Sequence, residues 1–345
     1  MLSSRNITRF TCLISALIAG TGGTGCGSLG TTSSTHDSGS DTVLPEQCGQ
    51  QLTSLRRSMN GRTLQGTSMT SATVTAATKG CVEIKSLHLE GTALVGTMDG
   101  QSLRGADFVG TTVTQVDSAG AQLAAVIAAV EVDARDASGE TLLYTLKALH
   151  DGQLVELCAP DLDGKRRAIP VPGTWDGSGA HQSSATQFTF GCTSAAIGKC
   201  VRLGYRPWTT HRGVSLAGYH QACTRMIRFD YCGDGGVHTE EGTEIDVYDP
   251  LPLNTKDPSL LLTFDAAWSE AGAYCIERQR WIRLSTVDGL TLQALLPSAC
   301  LSRFELAALE ASPVDPLDLC SVRSKSIPRD SVKLDNRSGV NILLR

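Results

Sequence analysis

Residues 216–236 read LAGYHQACTRMIRFDYCGDGG. Leu216, Tyr219, His220, Cys223, Ile227 and Asp230 recur at helical spacing, which puts them on one face of an α-helix. Gln221, Thr224, Arg225 and Arg228 then turn outward, and Gly233 is placed to close the helix. If the helix runs through both Cys223 and Cys232, it separates them by about 13 Å at ~1.5 Å per residue. A disulfide needs Cα atoms within ~7 Å, so these two pair elsewhere. The same argument separates Cys192 from Cys200. These four cysteines are expected to pair outward, pinning two helices to neighbouring strands.

Around this stretch the pattern is mixed. ATQFTFGC (185–192) alternates as a strand, with Phe188, Phe190 and Cys192 on one face. SAAIGKCVRLGY (194–205) reads as a helix stopped by Pro207. TEIDVYD (243–249), LLLTFDAAW (260–268) and QRWIRLST (279–286) read as strands, and SACLSRFELAALEA (298–311) as a helix ended by Pro313. The elements interleave without a βαβ rhythm, which predicts an α+β fold, a disulfide-stabilised mixed domain preceded by a β-rich N-terminal region.

That N-terminal region differs in composition. Between residues 27 and 143 the only aromatic is Phe108, whereas fifteen aromatics follow from Tyr144 onward. The change sets a boundary near 140. Leu64, Met69 and Val74, Leu89 and Leu94, and Leu103, Phe108 and Val113 fall five apart, which resembles a pentapeptide-repeat coil. The rhythm breaks too often for a regular solenoid, so short strands with Gly turns are favoured. AQLAAVIAAVEV (121–132) suits a helix or a buried strand equally.

The N-terminus carries Arg5 and Arg9, the apolar TCLISALIAG, and then the small residues TGGTGC. This is the layout of a secretory signal over residues 1–25, and the apolar run is far short of the ~20 residues of a membrane span. A signal ending in small residues before Cys26 resembles a bacterial lipoprotein, with Gly23 where that pattern usually has Leu. The resemblance implies that Cys26 becomes the acylated first residue. Residues 26–43 are Gly-, Ser- and Thr-rich and fit a flexible tether. The remaining regions are 44–140, β-rich; 141–320, disulfide-rich; and 321–345, a C-terminal tail. A formal charge of −5 and 19% charged residues give no basic footprint for nucleic acid.

Beyond Cys12 and Cys26, ten cysteines remain: Cys48, Cys81, Cys158, Cys192, Cys200, Cys223, Cys232, Cys275, Cys300 and Cys320. An even number in an exported chain reads as a disulfide framework whose connectivity stays open. No C-x-x-C spacing points to a zinc ribbon or a thioredoxin-like pair, and no metal ligand set is assigned.

Candidate chemistry is sparse. There is no G-x-S-x-G and no H-E-x-x-H. His220 fits a general base or a core histidine. Asp230 could orient it, or pair with Arg225 or Arg228. Seven acids between Asp230 and Asp249, with Asp234 and Asp246 among them, offer oxygen ligands for Ca²⁺, though without the EF-hand register. Trp208 and Trp268 could line a glycan- or protein-binding surface.

Together GTWD (173–176), TFGC and IGKC (189–200), GYRPW (204–208), HQACTRMIRFDYCGDG (220–235), GTEIDVYD (242–249) and AAWSEAGAYC (266–275) resemble the ADYC domain. Phe229 stands where the name-giving Ala would be. The resemblance runs over roughly 140–285 and implies a secreted bacterial, lipoprotein-like protein. It also implies that Trp175, Cys192, Cys200, Trp208, His220, Cys223, Asp230, Cys232 and Trp268 matter to the domain, but it supplies no catalytic residue. Two functions are carried forward. One is a lipid-anchored envelope protein with a non-catalytic binding or scaffold domain. The other is a secreted hydrolase using His220 with Asp230.

Overall fold

A computed structural model describes residues 63–66, 72–117, 120–240, 242–258, 262–277, 281–285, 291–294, 298–306, 320–338 and 341–344. The expected signal (1–25), tether (26–43), Cys26, Cys48 and Glu241 lie outside the described residues. In chain order the first strands are β1 (Thr73–Lys79), β2 (Val82–Glu83), β3 (Lys85–Glu90), β4 (Ala93–Met98), β5 (Gln101–Arg104), β6 (Thr112–Val116), β7 (Gln122–Val132), β8 (Leu142–His150), β9 (Gln153–Glu156) and β10 (Ala168–Pro172). Then come β11 (Thr174–Trp175), β12 (His181–Gln182), β13 (Phe188–Cys192), α1 (Ala196–Arg202), β14 (Thr210–His211), β15 (Val214–Ser215) and α2 (Ala217–Arg228). The last are β16 (Ile245–Tyr248), β17 (Thr263–Ser269), β18 (Gly272–Ile276), β19 (Trp281–Ser285), β20 (Thr291–Ala294), α3 (Ser298–Leu301), β21 (Phe304–Leu306), β22 (Val322–Ser324), β23 (Leu334–Ser338) and β24 (Asn341–Leu344).

The chain is mostly β, which corrects the α+β expectation. Among the described residues only three α-helices occur, of 7, 12 and 4 residues. The two longer ones were legible from their periodicity. Strands as short as two residues, lying between glycines, were not. Within the segment expected as a helix over 298–311, the described residues 298–306 make the four-residue α3 and then β21.

An eight-stranded sheet runs β13-β10-β8-β7-β6-β1-β2, with β9 folded back onto the end of β8. β7 and β8 pair across residue 140, so the compositional boundary is not a break in the sheet. The Ala-rich 121–132 segment is the strand β7, because pairing on both edges overrides alanine's helix preference. Four turns of the form D-x-x-G punctuate this half, at Asp117, Asp136, Asp161 and Asp176. In each, the Gly N–H donates to the Asp carbonyl at 2.9–3.0 Å, and the Gly takes a φ of 70–80° that suits glycine. The Asp carboxylate accepts backbone N–H groups further along the turn, at 2.8–3.0 Å. A small sheet, β3-β4-β5, packs alongside. Tyr144 joins the two: its hydroxyl donates to the Thr92 carbonyl and accepts from the Leu94 N–H, both at 3.0 Å.

α1 lies on β10 and β13, and α2 lies on α1 and on β17, β18 and β23. The approach of α1 to β13 needs glycine on both sides. A Cβ on Gly198 would strike the Cys192 carbonyl, and one on Gly191 would strike Ile197. Cys200 and Cys223 cross-link the helices to each other, with Cα atoms 5.8 Å apart, rather than each helix to a strand. Cys192 pairs with Cys158, Cys232 with Cys300 and Cys275 with Cys320.

Cys81 stands apart from this framework. It is disulfide-bonded, as are all nine described framework cysteines, but it takes no part in the four bridges that the other eight form among themselves. Those eight are buried, whereas Cys81 is exposed in the turn between β1 and β2, at a left-handed φ of 65°. The described cysteines therefore divide: a set of eight forms four buried bridges, and Cys81 is bonded at a sheet edge.

α2 is closed by Phe229, not Gly233. Phe229 adopts φ 54°, ψ 45°, the left-handed conformation that costs a non-glycine residue about 1–2 kcal/mol. Its ring is fully buried between Tyr231 and Trp268, at 5.2 and 5.3 Å. Burying a Phe side chain is worth about 1.5–3 kcal/mol and offsets that strain. The expected outward face of α2 is also buried: Gln221, Thr224, Arg225 and Arg228 all lie inside.

The second large sheet runs β16-β23-β17-β18-β22-β21, antiparallel throughout. The segment expected as a C-terminal tail therefore supplies β23 to its interior, between β16 and β17. A three-stranded sheet, β20-β19-β24, and two hairpins, β11-β12 and β14-β15, complete the described fold. No helix among the described residues is long and apolar enough to cross a membrane.

Candidate functional site

α2 places His220 at the contact between the helices. The side chain is fully buried, 5.8 Å from the Trp175 ring, and Nε2 lies 3.2 Å from the Ile197 carbonyl. Burial pushes the imidazole pKa down to about 3; the neighbouring His181 adds to the shift and the carbonyl opposes it. The ring is thus neutral at physiological pH, with Nε2–H donating. Nδ1 has no hydrogen-bond partner among the described residues.

Asp230 lies beyond the other end of α2, ten residues on and about 15 Å away at helical rise. It is fully buried and paired with Arg225. It also accepts the backbone N–H groups of Asp234 at 3.1 Å and Gly235 at 3.0 Å, which folds the CGDG turn over the helix end. Arg225 further donates to the Ser178 and Glu270 carbonyls, tying the Asp176 turn and the β17–β18 turn to the same point. His220 and Asp230 share no contact. A hydrolase built on that pair finds no dyad here, because each side chain is committed to packing or to an internal bond.

The four residues expected to bind a ligand divide in the same way. Trp268 is buried and donates from Nε1 to Asn336 Oδ1 at 2.8 Å. Asp246 is buried and paired with Arg337. Both are core groups, not surface contacts. Asp234 is exposed, with its carboxylate 3.7 Å from Arg303, and Trp208 is half-buried against the α1 core. Of the other acids, Asp249 accepts the Tyr205 hydroxyl at 2.8 Å and three backbone N–H groups. Among the described residues no group of three His, Cys, Asp or Glu is gathered to hold a metal ion.

The structure instead brings together residues that sequence reasoning missed. Arg202 of α1 is 8% exposed and bonds to Asp133 and to Asp161, both at 2.8 Å. Burial raises the Asp161 pKa, but the Thr193 hydroxyl, two backbone N–H groups and the Arg202 charge outweigh it and leave it lowered. This buried cluster forms one wall of a cleft of about 690 Å³. Met226 and Ile227 of α2 and Ile245 and Val247 of β16 supply apolar wall, and Thr239, Glu240, Thr243 and Glu244 supply polar wall. Leu162, in the Asp161 turn, forms a lip and is 91% exposed. The volume lies within the range of small-ligand sites. A second cleft, of about 490 Å³, lies over Arg225 and Arg303. Both cations there are already bonded, Arg225 to Asp230 and Arg303 to the Cys232 carbonyl.

A family model for the ADYC domain matches residues 105–282, just over half of the chain. The chain belongs to the ADYC domain family. No curated protein and no solved structure matches it. The ADYC span begins well before 140 and takes in β6, β7 and β8, which pair in one sheet. It contains the Phe229–Cys232 segment, both long helices and the residues of the larger cleft. It leaves out β23, Cys300 and Cys320, although these complete the six-stranded sheet and two of its disulfides. Cys81 also lies outside it. No local signal reveals Arg202's partners. The recurring D-x-x-G would have located the turn that carries Asp161.

Proposed function

We propose that this chain is an exported envelope protein, lipid-anchored through Cys26, whose ADYC domain is a non-catalytic binding module with the larger cleft as its ligand site. The cleft carries the reading. It is the larger of the two clefts described, aliphatic side chains share its walls with polar ones, and its buried charges are balanced internally. The commitment of His220 and Asp230 to packing and to an internal ion pair supports binding over hydrolysis. The disulfides fit an oxidising compartment, and the basic, short-apolar N-terminus followed by Cys26 supports export and anchoring.

Two experiments separate the parts of this reading. Cys26→Ala in the full chain should move the protein from the membrane to the soluble fraction; unchanged membrane association would remove the anchor. A photo-crosslinking residue at Ile227, half-exposed in the cleft, should give a discrete adduct in cells. One at Val82, exposed on β2, should not. Equal adducts from both, or none from either, would end the binding reading.

A further inference from the structure

We propose that the cleft takes an extended peptide of alternating aliphatic and Lys or Arg residues, laid as an added strand along the open edge of β16. The inference rests on the binding reading above and names the partner's chemistry. Three observations lead to it. The first is that β16 is the terminal strand of its sheet: β23 occupies one edge, and no backbone group among the described residues pairs with the other. Such an edge accepts an incoming strand through its alternate N–H and C=O groups.

The second is that Ile245 and Val247 of the same strand line the cleft together with Ile227 and the exposed Leu162. A peptide paired to the edge would direct every second side chain toward this apolar wall. The third is charge. Arg135 is held by Asp163, Arg202 by Asp133 and Asp161, and Lys199 is also engaged. Glu244, at the cleft edge beside β16, is exposed and has no ion-pair partner among the described residues. The uncompensated charge at the mouth is negative, so the matching partner is cationic.

The probe is a fluorescent heptapeptide, acetyl-Lys-Val-Lys-Ile-Lys-Val-Lys-amide, titrated into the full, disulfide-intact chain and followed by anisotropy. Three comparisons are made: the same peptide with Glu for Lys, the same peptide N-methylated at alternate amides, and the variants Glu244→Lys and Leu162→Asp. Both substitutions lie at exposed positions, so their thermal melts should match wild type. The basic probe should bind roughly tenfold more tightly than the acidic one. Glu244→Lys should abolish that preference, Leu162→Asp should weaken both, and N-methylation should remove binding. Equal binding of the two probes, a preference that survives Glu244→Lys, indifference to N-methylation, or no binding would overturn the proposal. So would a second copy occupying the edge, seen as a dimer that the probe does not disperse. If the Ile227 adduct forms while the probe fails, the binding module stands and only the peptide class falls.

Discussion

In the eight-stranded sheet, β6, β7 and β8 pair in chain order through short loops, whereas the six-stranded sheet takes β23 from near the C-terminus and sets it between β16 and β17. The β6-β7-β8 part of the first sheet specifies itself locally: D-x-x-G turns join its strands and set their register, and runs of consecutive residues in β7 and β8 are buried on both faces. The second must bring together segments far apart in the chain, pairing Ile245 with Ser338. It does so with directional contacts. Arg337 on β23 pairs with Asp246 on β16, and Asn336 takes the Trp268 indole N–H while donating to Asp265 at 2.9 Å. Two disulfides close the same region. Where the chain order cannot choose the neighbour, buried polar groups can, because a shifted strand would leave them unpaired.

The largest effect should follow removal of residues 334–345, which takes out the centre of the second sheet. Trp268 then loses its Asn336 acceptor and its cover, so tryptophan emission should shift red. Limited proteolysis should cut within 240–306 while a fragment from about 72 to 235 resists. Loss of both halves together would show that the two sheets are one cooperative unit and would undo the contrast drawn between them. Arg337→Leu is a narrower version. It leaves Asp246 buried without its partner and should cost about 3–5 kcal/mol in urea unfolding. Adding Asp246→Leu should recover much of that loss, since removing both charges leaves neither unpaired.

This contrast also explains what was legible in the sequence. α2 was readable because Leu216, Tyr219 and Cys223 repeat at helical spacing, and β13 because Phe188 and Phe190 alternate. β23 was not, because Leu-Asp-Asn-Arg-Ser is polar by composition and becomes buried only through partners far along the chain. An even cysteine count pointed to bridges, but it could not separate the exposed Cys81 from the eight buried sulfurs, since burial is set by the sheet around each one. Arg225 as the partner of Asp230 was within reach, since the two lie five residues apart. The burial of α2's polar face was not, because the turn that covers it comes from residues near 178. The cleft depends on a meeting of α1, α2, β16 and the Asp161 turn that no local pattern encodes.

A smaller effect separates the helix contact from both sheets. The His220 ring stays neutral in the folded chain down to about pH 3, whereas in the unfolded chain it protonates near its ordinary value of 6.5. Between those values the unfolded chain binds more protons, so stability falls as pH falls. For one proton the slope approaches about 1.4 kcal/mol per pH unit. His220→Gln keeps a donor for the Ile197 carbonyl but cannot ionise. The stability difference between wild type and this variant should therefore shrink from pH 6.5 downward, as read from urea midpoints. A constant difference would mean that the ring is not sealed from protons.

The smallest effect tests the local D-x-x-G rule in the separate β11–β12 hairpin, which uses the same turn as the first sheet's loops. Asp176 accepts the N–H groups of Ser178 at 2.9 Å and Ala180 at 3.0 Å, and also the Ser178 hydroxyl. These bonds hold its pKa below the ordinary 3.8, against a burial contribution that raises it. Asp176→Ala should cost roughly 1 kcal/mol near neutral pH, the net worth of a typical hydrogen bond in an open turn. A carboxylate whose folded pKa is lowered contributes stability above its unfolded pKa and loses it as pH falls. The gap between wild type and variant should accordingly close below about pH 3.8. The Asp176 turn also receives Arg225 from α2 and the Gln221 amide at Gly179. A loss well beyond about 1 kcal/mol would therefore mean that these long-range bonds, and not the turn's own geometry, set its conformation, and would move this hairpin to the other side of the comparison.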